Sequence, residues 1–484
     1  MTASAATLRS LTPSGSWARP GGQHRPRSRA PVGGWTGFIY STSMPKITIV
    51  GAGGYVFPLT LIRDILAFEA LQESEISLYD IDHDRVTITA AGAQRLIDAH
   101  GLGAKLAVPR DRRDALSGAD FVICTFQVGG IEAYGYDVNI PREYGVDQPV
   151  GDTLGPGGVF RGLRSIGALK GIVADMRAVC PDALLIQYAN PMSVNCWASS
   201  DLGVRTVGLC HSVQHTSRML AQEMEVPYEE VTFDSAGVNH TAWFTTFRRG
   251  GEDLVPRIRE VMTERHLGSS ATGLASDELY AGGNERVRTE LMRLTGYFHT
   301  ESSHHASEYW PWFRKDAELV KSYLPKRWDY FDICSAHSPD HNVEAFVEAS
   351  VTDGLHPSQE YGAYIIDSVT TGTPRVIYGN VPNHGLIDNL PAGCCVEVAC
   401  LADGMGLRPI AYGSLPPACA ALNTVQVNVQ GLVVKAALEG DRQLVHAAVA
   451  LDPLSGALLS LPQLCEMVDR LFEAEQPWLG PPWN

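Results

Sequence analysis

The hydrophobic positions of this chain change period several times, and each change marks an element. "KITIV" (46–50) is an unbroken apolar and β-branched run, which predicts a buried strand. Gly51, Gly53 and Gly54 follow within four residues, after which the apolar positions recur at helical spacing through Leu59, Ile62 and Leu66. Strand, glycine turn and helix in that order open a doubly wound parallel sheet. A second strand, "EISLYDID", carries Asp80 near its end. "GADFVICTFQVGG" then reads as strand and glycine turn, "GLRSIGALKGIVADMRAV" as a helix, and "ALLIQYANP" and "TVGLC" as strands. These five strands predict a Rossmann-like nucleotide-binding domain over 44–210.

Beyond Cys210 the alternation gives way to mixed elements, with "TAWFTTFRR" as a strand and "LNTVQVNVQGLVVKAALEG" and "LPQLCEMVDRLFEAE" as helices. The expected class is therefore α/β, a doubly wound domain followed by a second, α+β domain over 211–484. No internal repeat is visible.

Composition narrows the partners. Of 484 residues 45% are hydrophobic, enough for two packed domains. With 38 Lys and Arg against 54 Asp and Glu the formal charge is −16, which repels a phosphate polymer, so nucleic acid is not an expected partner. The chain contains no membrane-length apolar run and no secretory core, and its ten cysteines lack a CxxC pair, which points to reduced thiols in a cytoplasm. Residues 1–43 depart from this balance: Arg9, Arg19, Arg25, Arg27 and Arg29 stand there without any Asp or Glu. That extension is expected to be disordered and outside the fold, either a transit-type leader or a mis-assigned start upstream of Met44. The lack of a clear amphipathic helix favours the second.

Several residues carry candidate chemistry. Gly51 permits a tight turn and Gly53 a close approach of backbone to a pyrophosphate at the following helix N-terminus, while Asp80 is placed for an adenosine ribose. The signature is incomplete, because Val56 fills the third glycine position. A βα turn without a ligand is the plain alternative. "DTLGPGG" (152–158) sets Asp152 on a glycine-rich turn before a helix, either to accept a sugar hydroxyl and move a proton, or to stabilise the helix end. Asn190 ends a strand and points toward the ligand crevice of such a sheet, or else makes an Asn-Pro turn. Cys210 and His211 end another strand, and His240 begins a later one. A thiolate and an imidazole can share a metal, a Cys–His pair can be nucleophile and base, and both residues can simply end a strand. Spacing leaves these readings open. "CCVEVAC" alternates around Glu397 as a packed strand would.

Taken in order, "GAGGYVF", "DTLGPGG", "YANPM", "GLCHSVQ", "GVNHTAWF", "GNERVRTELMRLTGYFHTESS", "HASEYWPWF" and "VIYGNVPNHGLIDNLPAGCCVEVAC" resemble the family 4 glycoside hydrolases, within them the α-galactosidase branch. The resemblance runs from Pro45 to about Leu479. It implies a fold like that of lactate and malate dehydrogenases, NAD as cofactor and a divalent metal, usually Mn²⁺. It also implies a dimer or tetramer built through the second domain, which would carry metal and substrate. By that likeness Gly51, Gly53, Gly54 and Asp80 hold NAD, Cys210 and His240 hold the metal, and Asn190 and Asp152 bind the sugar. The implied reaction oxidises the C3 hydroxyl so that the C2 proton becomes acidic, then eliminates the C1 substituent, adds water and returns the hydride.

Departures from the pattern matter. The phospho-glucosidase branch has an Asp directly after the metal Cys, where this chain has His211. Its basic Tyr aligns near Arg293, and Tyr297 one turn on is nominated in its place. Asp152, His211 and Tyr297 are thus the expected catalytic groups. Residues 129–137 lack the Arg that pairs a 6-phosphate, so a small unphosphorylated α-galactoside such as melibiose is the expected substrate. The alternatives are a family 4 α-glucosidase or α-glucuronidase, a 2-hydroxyacid dehydrogenase, and an NAD-binding redox sensor.

Overall fold

The computed structural model describes residues 44–268, 284–325, 329–336 and 339–483; the basic extension over 1–43 lies outside them. Six parallel strands form one half of the sheet: β1 (Lys46–Val50), β2 (Glu75–Tyr79), β3 (Lys105–Ala107), β4 (Phe121–Cys124), β5 (Leu184–Gln187) and β6 (Thr206–Gly208). Their spatial order, β3-β2-β1-β4-β5-β6, is that of a dinucleotide-binding fold, as the alternating pattern predicts. The strand missing from the sequence reading is β3. It has three residues, none fully buried, and so shows no hydrophobic run.

The second half is antiparallel and belongs to the same sheet. It comprises β7 (Val231–Val238), β8 (Thr241–Arg249), β9 (Glu252–Asp253), β10 (Phe298–His299), β11 (Arg375–Pro382), β12 (Cys395–Asp403) and β13 (Gly406–Pro409). β11 pairs with β6 through Asn380 and Gly208, and the sheet continues β12-β7-β8-β10. Thirteen strands among the described residues are therefore continuous across the expected domain boundary at Cys210.

Helices cover the sheet. Leu59, Ile62 and Leu66, the helical period read after the glycine turn, are fully buried on the helix Val56–Leu66, each contributing about 1.5–3 kcal/mol. The long helix Gly155–Val179 begins inside "DTLGPGG", earlier than its apolar pattern suggested. Pro156 occupies the first turn, where its missing N–H costs nothing. No helix among the described residues is long and apolar enough to cross a membrane.

Two features of this topology place the site. The strand order reverses between β1 and β4, opening a crevice at the carboxyl ends of the parallel strands. The β7–β8 hairpin and β10 then bring their own ends to the residues that follow β5 and β6.

Candidate metal and substrate site

At the end of β1, Gly51 has φ 92°, and a Cβ there would lie 2.6 Å from the backbone nitrogen of Phe126. Only glycine fits this turn without displacing the chain that leaves β4. The Gly53 N–H donates to Asp80 Oδ2 at 2.8 Å, and Asp80 Oδ1 accepts from the Asp82 N–H at 2.9 Å. Asp80 is thus brought to the glycine turn, as the fold requires, and its carboxylate braces the loop. Gly54 is different: its nearest neighbour to an added Cβ is Pro58 at 3.5 Å, so the position has room for a side chain. No side chain caps the helix Val56–Leu66, whose first N–H groups face the turn as an anion site would.

A cavity beyond this crevice is lined by Asp152, Asn190, Cys210, His211, His240, Glu301, His305 and Tyr330, together with Phe57 and Tyr188. Cys210 follows β6. His240 sits at the tip of the β7–β8 hairpin, whose two-residue turn is Asn239–His240. His240 has φ 63°, in the left-handed region where Gly or Asn is usual. Such a conformation costs a non-glycine residue about 1–2 kcal/mol, and strain of this kind gathers at functional positions. Glu301 and His305 come from the segment after β10, which pairs with β8 at Phe244 and Trp243.

The side chains converge closely. A sulfur of Cys210, a ring nitrogen of His240 and a carboxylate oxygen of Glu301 all lie within 4.8 Å of one another. A second grouping, Asp152, His240 and His305, shares the same imidazole. His240 Nε2 faces Glu301 at 3.6 Å, while Nδ1 lies 2.9 Å from Thr153 Oγ1. Both oxygens of Asp152 have partners: Oδ2 accepts from Asn190 Nδ2 at 2.8 Å, and Oδ1 accepts from Thr153 Oγ1 at 2.8 Å with His305 Nε2 at 3.4 Å.

The electrostatics weigh against one of the three readings of the Cys–His stretch, that of a nucleophile with its base. Burial pushes the Cys210 thiol up to about 11, so it is no spontaneous nucleophile. A bound cation would expel that proton. Burial would raise Glu301, but the neighbouring His240 and His305 hold it down to about 2. Burial likewise opposes ionisation of Asp152, and the hydrogen bond and charge of His305, with Arg161 behind them, carry it far below the usual carboxylate range. At the cavity mouth desolvation works against protonating His211, yet Glu360 Oε1, 3.5 Å from its Nδ1, lifts it to about 9.

Cys210, His240, Asp152, Asn190 and His211 are thus brought to one cavity. Tyr297 is not. The helix Arg286–Thr295 ends at Gly296 with φ 88°, and Tyr297 turns into a separate cleft with Tyr412, Asp234 and Thr245. The tyrosines that line the cavity are Tyr188 and Tyr330. Glu301, His305 and Tyr330 escaped the sequence reading, since they lie in short or irregular elements with no period to mark them. One signal was present for His240, because a hairpin turn spelled Asn-His where Asn-Gly is usual marks a residue kept for another reason.

Residues 46–226 match the model of family 4 glycosyl hydrolases, and residues 235–455 match that of the family 4 glycosyl hydrolase C-terminal domain. The chain is 36% identical over 443 residues to an alpha-galactosidase of Bacillus subtilis (strain 168), covering 90% of this chain and 99% of that protein. It is 33% identical over 447 residues to an alpha-galactosidase of Rhizobium meliloti (strain 1021), covering 90% and 89%. Its fold is shared with a 6-phospho-alpha-glucosidase from gut microorganisms solved in complex with NAD and Mn²⁺, at a TM-score of 0.71 and 21% identity over 90% of this chain and 99% of that one. The chain belongs to the family 4 glycosyl hydrolases.

Proposed function

We propose that the chain is an α-galactosidase that cleaves small unphosphorylated α-galactosides, melibiose among them, with NAD and a divalent cation, Mn²⁺ by preference. The observation that carries the reading is the meeting of Cys210, His240 and Glu301 within 4.8 Å in the wall of a cavity that Asp152 and Asn190 also line. The donor set fits a divalent transition metal: one soft thiolate, one imidazole and one carboxylate, each buried. The Gly51–Gly53 turn with Asp80 fits a dinucleotide, while Gly54 contributes room rather than a needed absence of side chain. Similarity to two alpha-galactosidases favours galactose as the glycone. The described residues lining the cavity include Asp152 and Glu301 and no Lys or Arg, which favours an uncharged sugar over a phosphorylated one.

When bound, NAD at the Gly51–Gly53 turn would supply hydride removal and return, and a cation held by Cys210, His240 and Glu301 would supply Lewis acidity toward the sugar's oxygens. The chain's own groups divide the remaining work. Asp152 and Asn190 accept and donate hydrogen bonds to glycone hydroxyls. Burial and the nearby Glu360 push the Tyr188 phenol well above its usual range, which makes it hard to ionise. Tyr330, ionised to the phenolate, would take the C2 proton and become the phenol, the part first assigned to Tyr297. His211, kept protonated by Glu360, gives its proton to the departing glycosidic oxygen. A cytoplasmic homodimer or homotetramer that takes a small glycoside, with no nucleic acid or membrane as partner, goes with this reading.

The test is hydrolysis of nitrophenyl α-galactoside, α-glucoside and α-glucuronide, each with NAD and Mn²⁺ withheld in turn. The galactoside should be cleaved fastest and only with both additions. A dominant glucoside or glucuronide rate would move the substrate, and net NADH formation from a hydroxyacid would favour a dehydrogenase.

A further inference from the structure

Thr153 stands between the proposed sugar anchor and the proposed metal ligand, and takes part in neither role. It is 6% exposed, between Asp152 at 4% and His240 at 5%, so solvent does not offer it other partners. Its Oγ1 lies 2.8 Å from Asp152 Oδ1 and 2.9 Å from His240 Nδ1. A hydroxyl has one proton to give and lone pairs to receive. An ionised carboxylate can only accept. Thr153 therefore donates to Asp152, and its contact with His240 is one in which Nδ1–H donates to Oγ1. The opposite orientation would leave two acceptor oxygens facing each other at 2.8 Å in a buried site.

With the proton on Nδ1, the lone pair of the imidazole is on Nε2, the nitrogen that faces Glu301, itself a member of the cluster with Cys210, at 3.6 Å. We infer that Thr153 is a positioning residue for the metal, relaying the Asp152 carboxylate through its hydroxyl so that His240 is held in the tautomer that presents Nε2 to the cation. The hairpin alone cannot fix this choice, because backbone geometry at φ 63° sets where the ring is and not which nitrogen carries the proton. The relay also ties the two halves of the site together: Asn190 grips the other Asp152 oxygen at 2.8 Å, so a sugar-binding carboxylate and a metal-binding imidazole share one hydrogen-bond chain. Hydrogen-bond partners of this kind typically change metal affinity 10- to 100-fold when removed.

This inference rests on the metal reading given above, and its test separates the two. Mn²⁺ binding to the purified full-length protein is measured by the electron paramagnetic resonance signal of the free ion, without turnover, for wild type, Thr153→Val and Thr153→Ser. Thermal unfolding checks the fold of each, and Thr153→Ala replaces the valine variant where that one fails to fold. Thr153→Val should bind Mn²⁺ roughly 10- to 100-fold more weakly, and Thr153→Ser should recover affinity to within about threefold. In the zinc-loaded, ¹⁵N-histidine-labelled protein, the Nδ1 proton of His240 should exchange slowly in wild type and Thr153→Ser and quickly in Thr153→Val. Wild-type affinity and unchanged exchange in Thr153→Val overturn the role of Thr153 alone. A wild-type protein that binds no Mn²⁺ overturns the metal reading and this inference with it.

Discussion

Asn190 Nδ2 donates to Asp152 Oδ2 at 2.8 Å, joining the loop after β5 to the start of the long helix Gly155–Val179 across the cavity. This bond, with Thr153 and His305 on the other oxygen, leaves Asp152 ionised and immobile before any sugar arrives. Replacing Asp152 by Asn keeps the shape but removes an acceptor that several donors need. Asp152→Asn should lower kcat/KM for nitrophenyl α-galactoside by about 100-fold or more, with the larger share in kcat. Steady-state kinetics check it, and a variant within about threefold of wild type would remove Asp152 from the site.

Cys210 is the softest donor of the cluster, and its thiol is buried. Cys210→Ser should weaken Mn²⁺ binding by about 100-fold or more while leaving NAD affinity near wild type, because the glycine turn is untouched. Titration calorimetry with each ligand separately is the measurement. Equal losses for both ligands would point to a general collapse of the site.

Tyr330 lines the cavity and Tyr297 lies in another cleft. Tyr330→Phe should reduce kcat by about 100-fold or more and Tyr297→Phe by less than about twofold. A deep loss in the second variant with none in the first would restore the earlier assignment.

That pair of tyrosines also shows what the sequence could and could not say. β1, the glycine turn and the helix after it were legible because hydrophobic period changes there from strand-like to helical, and the burial of Leu59, Ile62 and Leu66 bears it out. Cys210 and His240 were singled out by their motifs, and the structure brings both to one cavity. Tyr297 was chosen for nearness along the chain, and Gly296 with φ 88° sends it away from the cavity. Glu301 arrives through a two-residue strand, and Tyr330 through a seven-residue helix. Proximity built by such short elements is a product of tertiary packing, for which one sequence carries no periodic trace. The continuous sheet was hidden for a related reason, since a single pairing of Asn380 with Gly208 joins its halves.

Gly51 tests the nucleotide crevice. An added Cβ would meet the Phe126 backbone at 2.6 Å from a backbone with φ 92°. Gly51→Ala should lose about 1–2 kcal/mol of stability from the dihedral alone, and more from the clash. NAD affinity should fall by about tenfold or more, read by fluorescence titration, because the turn must open. Unchanged NAD affinity would place the dinucleotide elsewhere.

His266 offers a pH test away from the cavity. It is buried, and desolvation lowers its pKa from 6.5 to about 4. The folded protein therefore resists the proton that the unfolded chain accepts below pH 6.5, so this contribution is full above that value and is lost as pH falls toward 4. Between pH 7 and pH 5 the loss from this group is about 2 kcal/mol. His266→Gln, which can still accept from the Glu285 N–H, should flatten that part of the stability profile in urea unfolding. An equally steep profile in the variant would contradict the assignment.

The account stands on proton transfer at the sugar's C2 within the cavity of Cys210, His240 and Tyr330. Melibiose hydrolysis in D₂O with NAD and Mn²⁺, followed by NMR of the released galactose, tests it most directly. Deuterium at C2 of the product is the result the account predicts; galactose released at full rate with C2 wholly protonated would contradict it.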